Sequence, residues 1–387
     1  MRALDVRGRP VSCGRVVLLS WVGALVIVLG WTVAPLTSAA AGRSSESGPN
    51  AGNESTLNGV SCVSASSCTA VGYSGDNTLI ESWNGSSWSI VRSPDRGTNS
   101  TLDGVFCVSA SSCEAVGDYS SNGLSQSLVE SWNGSSWSIV RSPDRGTNST
   151  LDGVFCVSAS SCEAVGSYSS NSFIQALVES WNGSSWSIVP NPSLVPDQSA
   201  LSDVFCVSDK SCVTVGNSGS GTLVESWNGI AWSVVPSPTP GNYGGLSGVS
   251  CSSATSCVAV GNYSNGTGSA SNILGRSLVE SWAGTAWSVA PAPSPSVAYL
   301  YGVSCVSARS CKAVGDYAST IYSRRALVES WNGTAWSIAP VPSPSESYLY
   351  GVSCVSTRSC KAVGERASNN GVVQTLVESW NGTAWSI

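Results

Sequence analysis

The 387-residue sequence contains no histidine. Histidine-dependent general-base chemistry and most transition-metal ligation are therefore excluded, whereas chemistry by a carboxylate pair is not. The carboxylates best placed to attempt such chemistry are Asp316 and Glu365, near the exits of predicted strands, with Asp118 further round. A carboxylate pair is what an acid–base or nucleophilic attack on a glycosidic bond requires. Tyr263, Arg276, Tyr317, Tyr322, Arg324, Arg325 and Arg366 lie in three adjacent stretches of the chain. Their ring faces and guanidinium groups suit a carboxylate- or sugar-bearing partner. A further glutamate recurs seven times (Glu81, Glu130, Glu179, Glu225, Glu280, Glu329, Glu378). Groups that act on one substrate are singular, so this set is expected to accept hydrogen bonds from neighbouring structure instead.

Fourteen of the 15 cysteines fall in pairs with five residues between them: Cys62/Cys68, Cys107/Cys113, Cys156/Cys162, Cys206/Cys212, Cys251/Cys257, Cys305/Cys311 and Cys354/Cys360. Regular pairs in an exported chain read as disulfides. Zinc is not expected, because ligand pairs are usually closer and no histidine is present. No other metal and no cofactor is expected. Cys13 stands alone and precedes an apolar run, so it is not a lipid-attachment cysteine.

These residues sit in a repeat. Seven times between Leu57 and Ile387 the chain writes a variant of LxGVSCVSASSCxAVGxY, a variable stretch, and LVESWNGSSWSIV, with a mean period of about 49 residues. Such a period, rich in strand formers and turn residues, predicts one propeller blade per unit. In the first unit Leu57–Ser64 and Cys68–Tyr73 read as a hairpin in which the two cysteines oppose each other across Ala65. Leu79–Trp83 and Trp88–Val91 read as a second hairpin turned by Asn84-Gly85, residues that tolerate positive φ. Tryptophans flank that turn in every unit (Trp83/Trp88 through Trp380/Trp385) and are expected to be framework. The predicted fold is all-β: a seven-bladed propeller of four-stranded antiparallel blades over residues 57–387, preceded by a flexible linker at 42–56.

The units resemble kelch and galactose-oxidase-type repeats. Ala70-Val71-Gly72 stands where the kelch glycine pair closes the second strand, Trp83-Asn84-Gly85 where its aromatic turn lies, and Trp88 where an aromatic opens the fourth strand. The departures are a single glycine, a shorter turn and the added cysteines. The resemblance covers 57–387 and implies a four-stranded blade with its first strand innermost. Ser82 to Trp88 is also similar to the Asp-box turn of sialidases, one residue short and with Asn for Asp, without an arginine triad placed to hold a carboxylate.

Connector lengths point to one face. The two tight turns of each unit keep constant length and emerge together, whereas the connectors between second and third strands hold 6, 10, 10, 6, 16, 11 and 11 residues. Insertions confined to one face suggest that this face carries specificity. Residues Asn84–Asn122 and Asn133–Asn171 differ only at Asp118 versus Ser167. Near-duplicate surfaces suit an avid binding surface better than a single active site.

Arg2, Arg7, Arg9 and Arg15 precede an uncharged apolar run, residues 16–36, and Ala39-Ala40-Ala41. This reads either as a cleaved signal peptide within residues 1–41 or as a retained membrane anchor. Both put the repeats outside the cytoplasm, secreted or at the outer face of the plasma membrane. Beyond residue 41 the chain carries 14 Lys and Arg against 23 Asp and Glu, a net charge of −9. Without a basic stripe to neutralise phosphates, nucleic acid is not an expected partner. The expectation is a monomeric extracellular or cell-surface propeller that binds a protein or glycan and is not an enzyme. A secreted carbohydrate-active enzyme (glycosidase, sialidase-like or lyase) using Asp316, Glu365 and Asp118 is the alternative.

Overall fold

The structure, a computed structural model, describes residues 54–387 apart from 172, 193–197, 220, 266–274, 296, 321–322, 345 and 369–370. The first blade is built from β1 (Ser55–Ser64), β2 (Ser67–Ser74), β3 (Asn77–Trp83) and β4 (Trp88–Val91), hydrogen-bonded in that order and antiparallel throughout. Six further sheets repeat the order, giving seven four-stranded blades. We call the strands of each blade a to d. Strand a is innermost and packs against strand a of the next blade.

Alternation explains the packing. In β3, Leu79, Glu81 and Trp83 face one neighbour while Ile80 faces the other, and all four are buried. Ile80 and Val71 of the first blade join Leu102, Ala115 and Leu128 of the second in one core. Each fully buried Leu or Ile contributes on the order of 2 kcal/mol. The same packing closes the ring. Val363 and Val377 of the last blade join Leu57, Ala70 and Leu79 of the first, and the amide of Cys62 donates to the Ser353 hydroxyl at 3.0 Å. The first and last blades thus meet face to face without sharing a strand.

All seven cysteine pairs are disulfides across the a–b hairpin: Cys62–Cys68, Cys107–Cys113, Cys156–Cys162, Cys206–Cys212, Cys251–Cys257, Cys305–Cys311 and Cys354–Cys360. The two members of each pair oppose each other in the ladder, as the hairpin reading requires. The Trp83 indole N–H donates to the Ala65 carbonyl at 3.1 Å, tying the c–d turn to the a–b turn on one face of the ring. The turn itself differs from a two-residue Asn-Gly reversal. Only Gly85 has positive φ (95°), and the Asn84 side-chain oxygen accepts the amides of Ser86 at 2.9 Å and Ser87 at 3.0 Å. Asparagine here is an acceptor that organises a four-residue turn rather than a left-handed residue.

The repeated glutamates are fully buried and most meet connector side chains as hydrogen-bond acceptors: Ser93 donates to Glu130 and Ser142 to Glu179, both at 2.9 Å, and Ser237 to Glu280 at 2.7 Å. Burial pushes Glu130 and Glu179 up to about 8 and Glu280 to about 7. Glu81 is also pushed to about 8, and no donor among the described residues reaches its carboxylate. Among the described residues no helix is long and apolar enough to cross a membrane. The expected leader, with its apolar run 16–36, lies outside them.

Candidate functional site at the central channel

A one-residue irregularity in every strand a builds the candidate site. In β1, Leu57 pairs with Gly72 and Gly59 with Val71, which leaves Asn58 as an extra residue. The same shift isolates Asp103, Asp152, Ser202, Ser247, Tyr301 and Tyr350 in the other blades. A bulge frees one residue from the ladder and re-aims its side chain. Here all seven extra residues line a central cavity of about 190 Å³. The residue after each bulge is glycine in six blades, and a Cβ there would meet the next blade's backbone: at Gly104 it would lie 2.9 Å from the Asp152 carbonyl oxygen. Close approach of the inner strands therefore favours glycine at these six positions. The fourth blade carries Asp203 instead, and its carboxylate accepts the amides of Val204 and of Val249 in the next blade, both at 2.8 Å.

The channel wall is chemically lopsided. The sixth and seventh blades present tyrosines. The Tyr301 hydroxyl donates to Asp316 at 2.8 Å, and the Arg324 guanidinium ion-pairs with the same carboxylate while lying 4.9 Å from the Tyr299 ring centre. Glu365 accepts the Tyr350 hydroxyl at 3.1 Å and, across the ring closure, the Thr56 hydroxyl at 2.6 Å. Tyr301 and Tyr350 lie 5.4 Å apart, and Tyr348 stacks on Tyr350 at 6.2 Å. Burial raises the Asp316 carboxyl although Arg324 and Tyr301 pull it back, and burial followed by the adjacent carboxylates raises both hydroxyls.

The second and third blades present carboxylates. Asp103 accepts the Asn58 amide at 3.0 Å. Burial, then the charges of Asp152 and Asp118, push it up to about 8. Asp152 is pushed to about 7 by burial and then by Asp118. Between the two walls, the fourth and fifth blades carry only Ser202 and Ser247 as their bulge residues.

The sequence-predicted residues divide. Asp316, Arg324 and Glu365 meet at the tyrosine wall, and Asp118 stands beside Asp103 and Asp152. Tyr317 and Arg325 oppose each other on strands b and c of the sixth blade and line a separate cleft of about 140 Å³ with Pro340 and Ser343. Tyr263 opposes Arg276 in the fifth blade and packs on that blade's core, while Arg276 is exposed. Arg366 opposes Gln374, and its Nε is buried without an acceptor among the described residues. Tyr322 lies outside the described residues.

The cysteines must be set apart from these candidates. Cys162, Cys212, Cys257, Cys311 and Cys360 are buried at 2–3% exposure, and none of the five lines the channel or the cleft at Tyr317. Each belongs instead to the hydrophobic core of its own blade, beside the tryptophan that opens strand d. The reason is their place on strand b, a central strand covered on both faces by neighbouring blades. They staple the framework, as the hairpin reading expects.

Sequence reasoning missed Tyr299, Tyr301, Tyr348, Tyr350, Asp103 and Asp152. The signal was present: directly after the recurrent Leu the repeats read Asn, Asp, Asp, Ser, Ser, Tyr, Tyr, and in the last two a further tyrosine precedes that Leu. Among the described residues no cluster of Cys, Asp or Glu is set to hold a metal ion.

Fold and channel together define a seven-bladed, all-β propeller. No protein-family model matches the sequence, and no curated protein resembles it by sequence. Solved structures resemble it in fold alone. An ulvan lyase of polysaccharide lyase family PL25, bound to GlcA(1-4)Rha3S, superposes with a TM-score of 0.56 at 9% identity over 87% of this chain and 97% of its own. YCF48 bound to D1 peptide gives 0.52 at 11% identity, covering 86% of this chain and 95% of its own. YCF48 from Cyanidioschyzon merolae gives 0.51 at 13% identity, covering 84% and 96%. A peptide-bound protein and a polysaccharide lyase share this architecture, so the fold does not choose between binding and catalysis.

Proposed function

We propose that the protein is an exported recognition propeller that captures a protein or glycan partner at the channel mouth on its variable-loop face. One observation carries the reading: the two carboxylates best placed for acid–base chemistry are already engaged. Asp316 is held by Tyr301 and Arg324, and Glu365 by Tyr350 and Thr56. Carboxylates with fixed donors on both oxygens hold the tyrosine rings in place, and such rigid aromatic surfaces are the usual anchors of recognition sites. Seven disulfides fit an oxidising, extracellular setting. In this reading the apolar run 16–36 directs export, residues 42–56 tether the ring, and the blades descend from a kelch-like repeat.

The test is a glycan-array, cell-wall-fraction and extracellular-protein binding screen with the full chain, followed by a reducing-end assay on each glycan bound. The control is a Tyr299→Thr, Tyr348→Thr double variant. The first three blades carry threonine at the equivalent positions (Thr56, Thr101, Thr150), so the fold accommodates it. Capture that falls about tenfold or more in the variant, without new reducing ends, is expected. Release of reducing ends by the native chain would overturn the reading.

A further inference from the structure

We infer that the channel receives an organic cation: a lysine or arginine side chain of a partner protein, its charge met by Asp152 and Asp103 and its stem by the rings of Tyr301 and Tyr350. The inference rests on the recognition reading above and names the chemistry of the group recognised.

The cavity is lined by three aspartates and by no Lys or Arg. One of the three, Asp203, is spent on the backbone amides of Val204 and Val249. Asp103 takes the Asn58 amide at 3.0 Å and the Thr101 hydroxyl at 3.5 Å. Asp152 receives no donor among the described residues, although it is crowded by Asp103 and Asp118. Half-buried carboxylates set beside one another on one cavity wall are normally matched by a counter-charge. Among the described residues no cation of the chain faces them. The guanidinium behind the tyrosine wall, Arg324, is committed to Asp316.

The tyrosine wall supplies the second half of the site. Both tyrosines line the cavity, and both hydroxyls are committed to carboxylates, Asp316 and Glu365, that do not line it. Ring faces opposite carboxylates suit an alkylammonium or guanidinium group, which gains from both. A neutral sugar could stack on the rings but would leave Asp152 uncompensated. The carboxylates belong to adjacent blades and do not converge with a third ligand as a metal site would. The net charge of −9 beyond residue 41 favours approach of a basic partner.

The test is calorimetric titration of the full chain with acetyl-Ala-Lys-Ala-amide, its Arg analogue and its Gln analogue. Binding of the Lys or Arg peptide but not the Gln peptide is expected, weakened about tenfold or more by Asp152→Asn. Because that substitution removes an unmatched carboxylate, its thermal midpoint should not fall. Asp152→Ser, the residue type at Ser202 and Ser247, provides a second variant that the bulge tolerates. Equal binding of the Gln peptide, undiminished binding by both variants, or displacement of the peptide by calcium chloride would overturn the inference. Glycan capture that depends on Tyr299 and Tyr348 but ignores Asp152 would overturn it while leaving the recognition reading intact.

Discussion

Asp316 is wholly buried, and two donors make that burial tolerable: a tyrosine on the inner strand and an arginine on strand c. Removing the arginine strands the carboxylate, and the cost of such a loss exceeds the net contribution of the intact pair. Arg324→Ala is therefore expected to destabilise the ring by about 1–3 kcal/mol, with Arg324→Ala plus Asp316→Asn recovering most of it. Chemical denaturation of the two variants checks this. A double variant no more stable than the single would mean that the pair does not hold the carboxylate. The sequence marks Asp316, Arg324 and Glu365 as chemically suggestive, but not what they touch. Their partners lie on other strands or, for Glu365 and Thr56, at opposite ends of the chain.

At the scale of elements the inner strand decides the site. Strand order and the cysteine hairpins are legible because seven copies of one pattern average out local ambiguity. The facing of individual residues is not. Period-two alternation assigns faces only while the ladder is unbroken, and a bulge resets it. Asn58 and its equivalents thus escape an argument that places Leu79 and Ile80 correctly. The c–d turn shows the same limit: the sequence points to the backbone tolerance of Asn84, whereas its side-chain oxygen organises the turn. The inner seam offers a direct test. Gly104→Ala would press a methyl against the Asp152 carbonyl and is expected to cost about 1–3 kcal/mol. The same substitution at Gly123, where nothing lies within 4 Å, meets only its positive φ of 77°. A midpoint shift at Gly104 no larger than at Gly123 would show that the inner strands have room to spare.

For the whole molecule, the ring of buried glutamates sets the response to pH. Glu81, Glu130 and Glu179 are raised to about 8, and Glu225, Glu280, Glu329 and Glu378 to about 7, burial being the first cause in each. A carboxyl raised on folding binds its proton more tightly in the native state. Its contribution is therefore complete below its ordinary value near 4.5 and is lost as pH climbs through 7 to 8. The propeller is expected to melt on the order of 5 °C higher at pH 5.5 than at pH 8, measured by circular dichroism. A midpoint that rises with pH would reverse the assignment. Glu81→Gln should raise the midpoint at pH 8 and change it less at pH 5, because the amide cannot ionise in the buried site.

The bulge residues have one more consequence. Each is exempt from cross-strand pairing and lines open volume, so exchanging it leaves the ladder intact and alters only the contacts of the channel wall, such as those of Tyr301 with Asp316 and Asn58 with Asp103. The ring is in effect a combination lock with one dial per blade, presently set to Asn, Asp, Asp, Ser, Ser, Tyr, Tyr. Turning a dial rewrites the chemistry of the bore while the casing stays the same, which makes this scaffold a natural starting point for selecting binding specificities.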